Sequence, residues 1–177
     1  MADSSLVTYE DYNVPYTSGR TSGVGCVCVH HMAGNLDTAT CCRVWRNSGA
    51  ASAHYCIDSK GNIGQAVREK DCAWACGNKW ANNCSISIEC ANDGGASSNW
   101  HVSDATINAC INLLVDICKR QDGHNLGTQA RLRQESSLLI ERWLPRLAPA
   151  ITFIVNSLTL HPRCRRDLME QMRSCIV

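Results

Sequence analysis

Gly25-Cys26-Val27-Cys28-Val29-His30-His31-Met32-Ala33-Gly34 decides how this chain is read. Its first five residues are small, β-branched or thiol-bearing, a mixture that tolerates burial on both faces of a β-strand. Two histidines at the strand's end, followed by a small-residue turn, place imidazoles at a sheet rim where a metal ion can be held. Side chains alternate along a strand, so His30 and His31 face opposite ways and only one of them serves a given site. The plainer reading of the pair is packing or hydrogen bonding at a strand end.

Working outward, Asp37 is a plausible N-cap for a short helix over Thr38 to Trp45. His54 to Ile57 reads as a strand, turned by Asp58-Ser59-Lys60-Gly61-Asn62 into a second strand over Ile63 to Val67, a hairpin with glycine in its turn. In Cys84 to Cys90, Ile86, Ile88 and the flanking cysteines share one face, and Ser85, Ser87 and Glu89 the other. Ser103 caps a helix reaching about Arg120, with Ile107, Cys110, Ile111, Leu114, Ile117 and Cys118 as its apolar stripe. Beyond Gly123 the composition shifts toward Leu and Arg. A helix pattern over 130–144, an apolar run over 151–155 and a strand ending at His161 follow. Strands interleaved with helices imply an α/β fold, a central mixed sheet flanked by helices. The expected organisation is a polar N-terminal arm, 1–23, and one domain, 24–177, whose part from 124 diverges in character.

The 177 residues suffice for one core without crosslinks. A net charge of +1 and a pI near 7.5 argue against nucleic acid as a partner. No apolar run suits membrane insertion. Met1 to Ser5 lack the start of a secretory signal, so synthesis in the cytoplasm is expected, as is a monomer. Thirteen cysteines, an odd number without a CxxC pair, read as reduced apolar fillers rather than a disulfide or zinc-ribbon framework. A metal pair of Cys72 and Cys76 is a minor alternative.

His30, Glu89, His161 and Cys164 are the residues with chemistry to offer. Catalytic zinc takes three nitrogen, sulfur or oxygen ligands and keeps a fourth position for water. A carboxylate nearby can then accept a proton. Spacing alone leaves other groupings of the six histidines and many cysteines open.

Six ordered motifs go further: Val29 to Gly34; Ala51-Ser52-Ala53-His54-Tyr55-Cys56-Ile57-Asp58; Lys60 to Ile63; Ala73-Trp74-Ala75-Cys76-Gly77-Asn78; Asn83 to Glu89; and Trp100-His101-Val102-Ser103-Asp104-Ala105. Over roughly Gly25 to Gln121 the chain resembles the zinc-dependent N-acetylmuramoyl-L-alanine amidases of the type-2 class, relatives of the peptidoglycan recognition proteins and common among phage endolysins. The resemblance implies that fold, a Zn2+ cofactor, and cleavage of peptidoglycan between N-acetylmuramic acid and L-alanine. It implies His30 as the first zinc ligand and Glu89 as the carboxylate beside the zinc-bound water. Trp74, Gly77 and Asn78 match the loop lining the substrate groove, although Trp74 also reads as a core anchor. His54 is similar to a family histidine near the active face, with a buried, hydrogen-bonded histidine as the other reading.

His161 and Cys164 resemble the remaining two ligands, with Asp167 as the fallback. The Pro-Gly that often follows the family's cysteine is replaced here by Arg165-Arg166. The lysine that some members carry beside the zinc has no aligned counterpart here, and Arg163, Arg165 or Arg166 is the candidate to supply its charge. A non-catalytic peptidoglycan-binding module that has lost its metal is the alternative function, and a cysteine-rich metal-storage or redox protein a further one. An enzyme made in the cytoplasm with a substrate in the bacterial wall fits endolysin-like release.

Overall fold

Cys26–His31 forms an inner strand because Ser85–Cys90 supplies ladder partners along its full length and Phe153–Asn156 pairs with Cys26 to Val29 on the other side. A computed structural model describes residues 1–121 and the backbone of Phe153–Asn156. In chain order the elements are β1 (Tyr9–Glu10), β2 (Tyr16–Thr17), β3 (Cys26–His31), α1 (Thr38–Ser48), β4 (Tyr55–Ile57), β5 (Ile63–Gln65), β6 (Cys72–Ala73), α2 (Lys79–Cys84), β7 (Ser85–Cys90), α3 (Asp104–Gln121) and β8 (Phe153–Asn156). Six strands make one mixed sheet in the order β1-β5-β4-β7-β3-β8, and β2 pairs with β6 in a small second sheet. β3 runs parallel to β7 with His30 opposite Glu89, and antiparallel to β8 with Val29 opposite Phe153. The fold is α/β, as the sequence implies.

The two faces of the sheet differ in chemistry, and that difference positions the site. Val27, Val29, Tyr55, Ile57, Ile63, Ile86 and Ile88 pack against Cys110, Leu113, Leu114 and Ile117 of α3. Each fully buried aliphatic side chain there contributes about 1.5–3 kcal/mol. The opposite face carries Cys26, Cys28 and His30 from β3, and Ser85, Ser87 and Glu89 from β7. α1 covers only the β4–β5 side of that face, through Cys41, Cys42 and Trp45 against Cys56, Ala66 and Val67. Over β3 and β7 the cover is the chain leading into α2, which sets Cys76 and Cys84 against Cys26 and Cys28.

Local chemistry explains the boundaries. Asp37 caps α1, its side chain accepting from the Thr40 amide at 2.7 Å. The hairpin forms β4 and β5, with Gly61 at φ +83° in the turn, where a Cβ would lie 2.9 Å from the Ala105 carbonyl oxygen. Ser103 accepts from the Thr106 amide at 3.1 Å at the start of α3. The stripe expected on that helix is slightly rotated. Leu113 is fully buried, whereas Ile107, Ile111 and Cys118 are half-buried, because the sheet's twist selects the contact line. Cys84 does not share a face with Ile86 and Ile88. It ends α2, and strand alternation begins only at Ser85. That short helix has too few residues for a periodic signal.

Residues 1–23 lie along the domain. β1 adds a parallel edge strand to β5, and Asp3 accepts from the Glu69 amide at 2.9 Å. Cys26, Cys28, Cys41, Cys42, Cys56, Cys72, Cys76, Cys90 and Cys110 are free thiols. No helix among the described residues is long and apolar enough to cross a membrane. The helix pattern over 130–144, the strand ending at His161, and Cys164 and Asp167 lie outside the described residues, while β8 occupies part of the apolar run.

Candidate active site

His30 and Glu89 lie at the C-terminal ends of two adjacent parallel strands, side by side in register. This is where α/β sheets place chemistry, since the loops leaving the strand ends can wall a cleft. Both residues are half-buried. Burial pushes the Glu89 carboxyl up to about 7, with His31 pulling in the opposite direction. A carboxyl poised near neutrality both accepts and releases protons at working pH.

His31 points to the other side, as alternation requires. Its Nδ1 lies 3.0 Å from Asn92 Oδ1, and its ring sits 5.9 Å from that of Trp100. The buried Asn92 amide also donates to the Trp100 carbonyl and, from its backbone, to the Gly34 carbonyl. Asn92 thus ties the loop beyond β7 to the end of β3 through its side chain and to the loop beyond β3 through its backbone. Ala33, Asn99 and Trp100 hold left-handed φ values of 49°, 51° and 55° in these loops. Such strain in non-glycine residues gathers at functional rims, where surrounding contacts hold it in place.

The second wall is the Trp74–Asn78 loop. The Trp74 indole is 38% exposed, which removes the core-anchor reading, and its Nε1 donates to Thr17 Oγ1 at 2.9 Å. Gly77 takes φ 59°, turning the chain into α2, and the Asn78 side chain accepts from the Trp80 and Ala81 amides at 2.9 and 3.0 Å. The amides of Ala75 and Cys76 both donate to Asn82 Oδ1. These bonds set the Cys76 sulfur 3.9 Å from His30 Nε2 and 3.9 Å from Ser85 Oγ. Sequence reasoning weighed Cys76 only as a partner of Cys72, yet the Cys72 thiol turns away to the Gly19 carbonyl at 3.2 Å. The Cys-x-x-x-Cys spacing carried no hint of His30.

His54 lies beneath the floor, 1% exposed. Its Nε2 is 2.7 Å from Arg20 Nη2 and its Nδ1 is 3.0 Å from Ser87 Oγ. The Ser87 backbone amide donates to Nδ1 at 3.0 Å, and Nε2 also lies 3.1 Å from the Asp71 carbonyl oxygen. Burial, then the Arg20 charge, lowers its pKa to about 3, keeping the ring neutral. The structure therefore favours the buried, hydrogen-bonded reading. Arg20, which also donates to the Asn83 carbonyl at 2.8 Å, was not singled out from sequence, because an arm arginine has no spacing signal.

The donor chemistry at His30 suits a zinc-class cation, since its imidazole nitrogen faces the Cys76 thiol and Glu89 stands opposite it in strand register. Among the described residues no group of three or more His, Cys, Asp or Glu side chains is assembled for a metal ion, so the set needs a donor from elsewhere in the chain.

The comparisons agree with this architecture. The family described as N-acetylmuramoyl-L-alanine amidase matches residues 20–136. The fold is similar to that in the structure of PlyL, with TM-score 0.53 and 18% identity over 64% of this chain and 74% of that one. It is similar also to the solution structure of the PlyG catalytic domain, with TM-score 0.53 and 17% identity over 66% of this chain and 71% of that one. No curated protein matches the sequence. With a family match over more than half of its length, the chain belongs to the N-acetylmuramoyl-L-alanine amidase family.

Proposed function

We propose that this protein is a zinc-dependent amidase that cleaves peptidoglycan between the lactyl group of N-acetylmuramic acid and the L-alanine of the stem peptide, acting on the bacterial wall as an endolysin does. The observation that carries this reading is the pairing of His30 with Glu89, an imidazole and a carboxyl held near neutrality in register on one rim. His30 Nε2 supplies the first metal donor. His161 and Cys164 are the donors that family resemblance adds. Zinc, when bound, lowers the pKa of a coordinated water and polarises the scissile carbonyl.

Glu89 does the proton work. Its carboxylate takes a proton from the attacking water and returns it to the leaving amine nitrogen of L-alanine, both steps favoured by a pKa close to the working pH. The exposed face of Trp74 offers an apolar contact on the cleft wall. Gly77 and Asn78 set the shape of the substrate loop, and His54 supports the floor through Ser87.

Incubating the protein with purified peptidoglycan and counting freed L-alanine amino termini tests the reading. We expect release with the metal-loaded protein and none after chelation. Glu89→Gln is expected to retain zinc and lose hydrolysis by about 10²-fold or more. Unchanged turnover in that variant would remove Glu89 from the reaction. Wall binding without release, metal present, would instead favour a non-catalytic module.

A further inference from the structure

We infer that Thr17, on the N-terminal arm, is a positioning residue for the amidase reaction, holding the Trp74 indole in place on the wall of the substrate cleft. The inference rests on the amidase reading above and adds the arm to it. Trp74 Nε1 donates to Thr17 Oγ1 at 2.9 Å, although the indole is exposed. Strand pairing brings the two together. In the antiparallel ladder of β2 and β6, Tyr16 stands opposite Ala73 and Thr17 opposite Cys72. That register leaves Thr17 diagonal to Trp74, a spacing that a long aromatic side chain spans.

The hydroxyl is presented by anchored backbone. Just beyond β2, the Gly19 amide donates to Asp71 Oδ1 at 2.8 Å, and the Gly19 carbonyl accepts from the Cys72 thiol at 3.2 Å. Arg20 then donates to the carbonyls of Glu69 and Asn83 at 2.6 and 2.8 Å, and the Thr21 amide donates to Asn83 Oδ1 at 2.8 Å. The adjacent Asn82 receives the Ala75 and Cys76 amides of the wall loop. Arm and loop are thus fastened to the same end of α2, with Trp74 between them. An indole fixed before substrate arrives does not lose side-chain freedom on binding, which is where a positioning contact gains affinity. Thr17 is exposed on a two-residue strand, so removing its hydroxyl leaves the core untouched and separates orientation from stability.

The test compares Thr17→Val, which keeps the shape and removes the acceptor, with Thr17→Ser, which keeps the acceptor. Exchange of the Trp74 indole N–H, read by nuclear magnetic resonance on the full chain without substrate, is expected to quicken about 2–10-fold in Thr17→Val. Thr17→Ser should exchange at the wild-type rate. With metal-loaded protein and soluble peptidoglycan fragments, KM is expected to rise about 3–10-fold in Thr17→Val while kcat and Tm hold, and to stay at the wild-type value in Thr17→Ser. Adding Thr17→Val to Trp74→Phe should leave KM where Trp74→Phe alone puts it. Unchanged indole exchange in Thr17→Val overturns the inference. So does an unchanged KM, a rise that Thr17→Ser shares, or a full Thr17→Val effect persisting beside Trp74→Phe. Absence of L-alanine release by the wild type removes the amidase reading itself, and the substrate role of Thr17 with it, whatever the exchange rates.

Discussion

Glu89 holds its proton at a cost to the fold. Its folded pKa, about 7, lies above the ordinary carboxyl value of 4.5 because burial disfavours the anion. Between those values the unfolded chain has lost the proton and the folded chain keeps it. Stability therefore falls as pH rises from about 4.5 to 7, by up to about 3 kcal/mol in the metal-free protein. Glu89→Gln carries no such charge. Urea unfolding in chelator is expected to show the variant as stable as wild type near pH 4 and more stable by about 1–3 kcal/mol near pH 8. Equal stability at both pH values would mean that the carboxyl is better solvated than its burial implies. A group that destabilises the folded state while standing in register with His30 is what an acid–base role requires.

The short helix α2 acts as the hinge post of the cleft wall. Its N-cap, Asn78, satisfies two amides that would otherwise lack partners, and the same residue ends the loop that carries Trp74 and Cys76. Asn78→Ala is expected to lower stability by about 1 kcal/mol, and Asn78→Asp, which keeps the cap, to restore it, as read by thermal unfolding. Were Asn78 purely a substrate contact, the alanine variant would change KM with no shift in Tm. The hairpin of β4 and β5 and the helix α3 were legible from the sequence because each has its own signal, Gly61 in a turn or an apolar stripe behind the Ser103 cap. Helix α2 was not legible, since Lys-Trp-Ala-Asn-Asn-Cys spans under two turns and runs straight into β7.

Across the whole molecule, one buried carboxylate links the arm, the sheet and α3. Glu69, 6% exposed, receives Arg120 through two nitrogens at 2.5 and 2.8 Å and the Tyr55 hydroxyl at 2.6 Å. Its backbone amide meets Asp3 of the arm. The pair matters mainly through what its disruption leaves behind, an uncompensated charge in the interior. Arg120→Ala is expected to destabilise the protein by about 3–5 kcal/mol at neutral pH. Glu69→Gln combined with Arg120→Met should recover much of that loss, as measured by denaturant unfolding. Recovery absent from the double variant would show that packing of the arginine stem, rather than its charge, holds the end of α3.

The sequence by itself determined the strand that carries His30, a second strand with Glu89 on its polar face, the hairpin, the capped α3 and membership of the fold class. Each of these is written in contiguous residues whose periodicity or turn chemistry acts over a few positions. Only the tertiary structure decided that Cys76 meets His30, that Arg20 reaches under the sheet to His54, and that Asn92 ties the loop beyond β7 to the end of β3. Those contacts join residues 34 to 61 positions apart, and no local pattern encodes which surfaces the folded sheet will bring face to face.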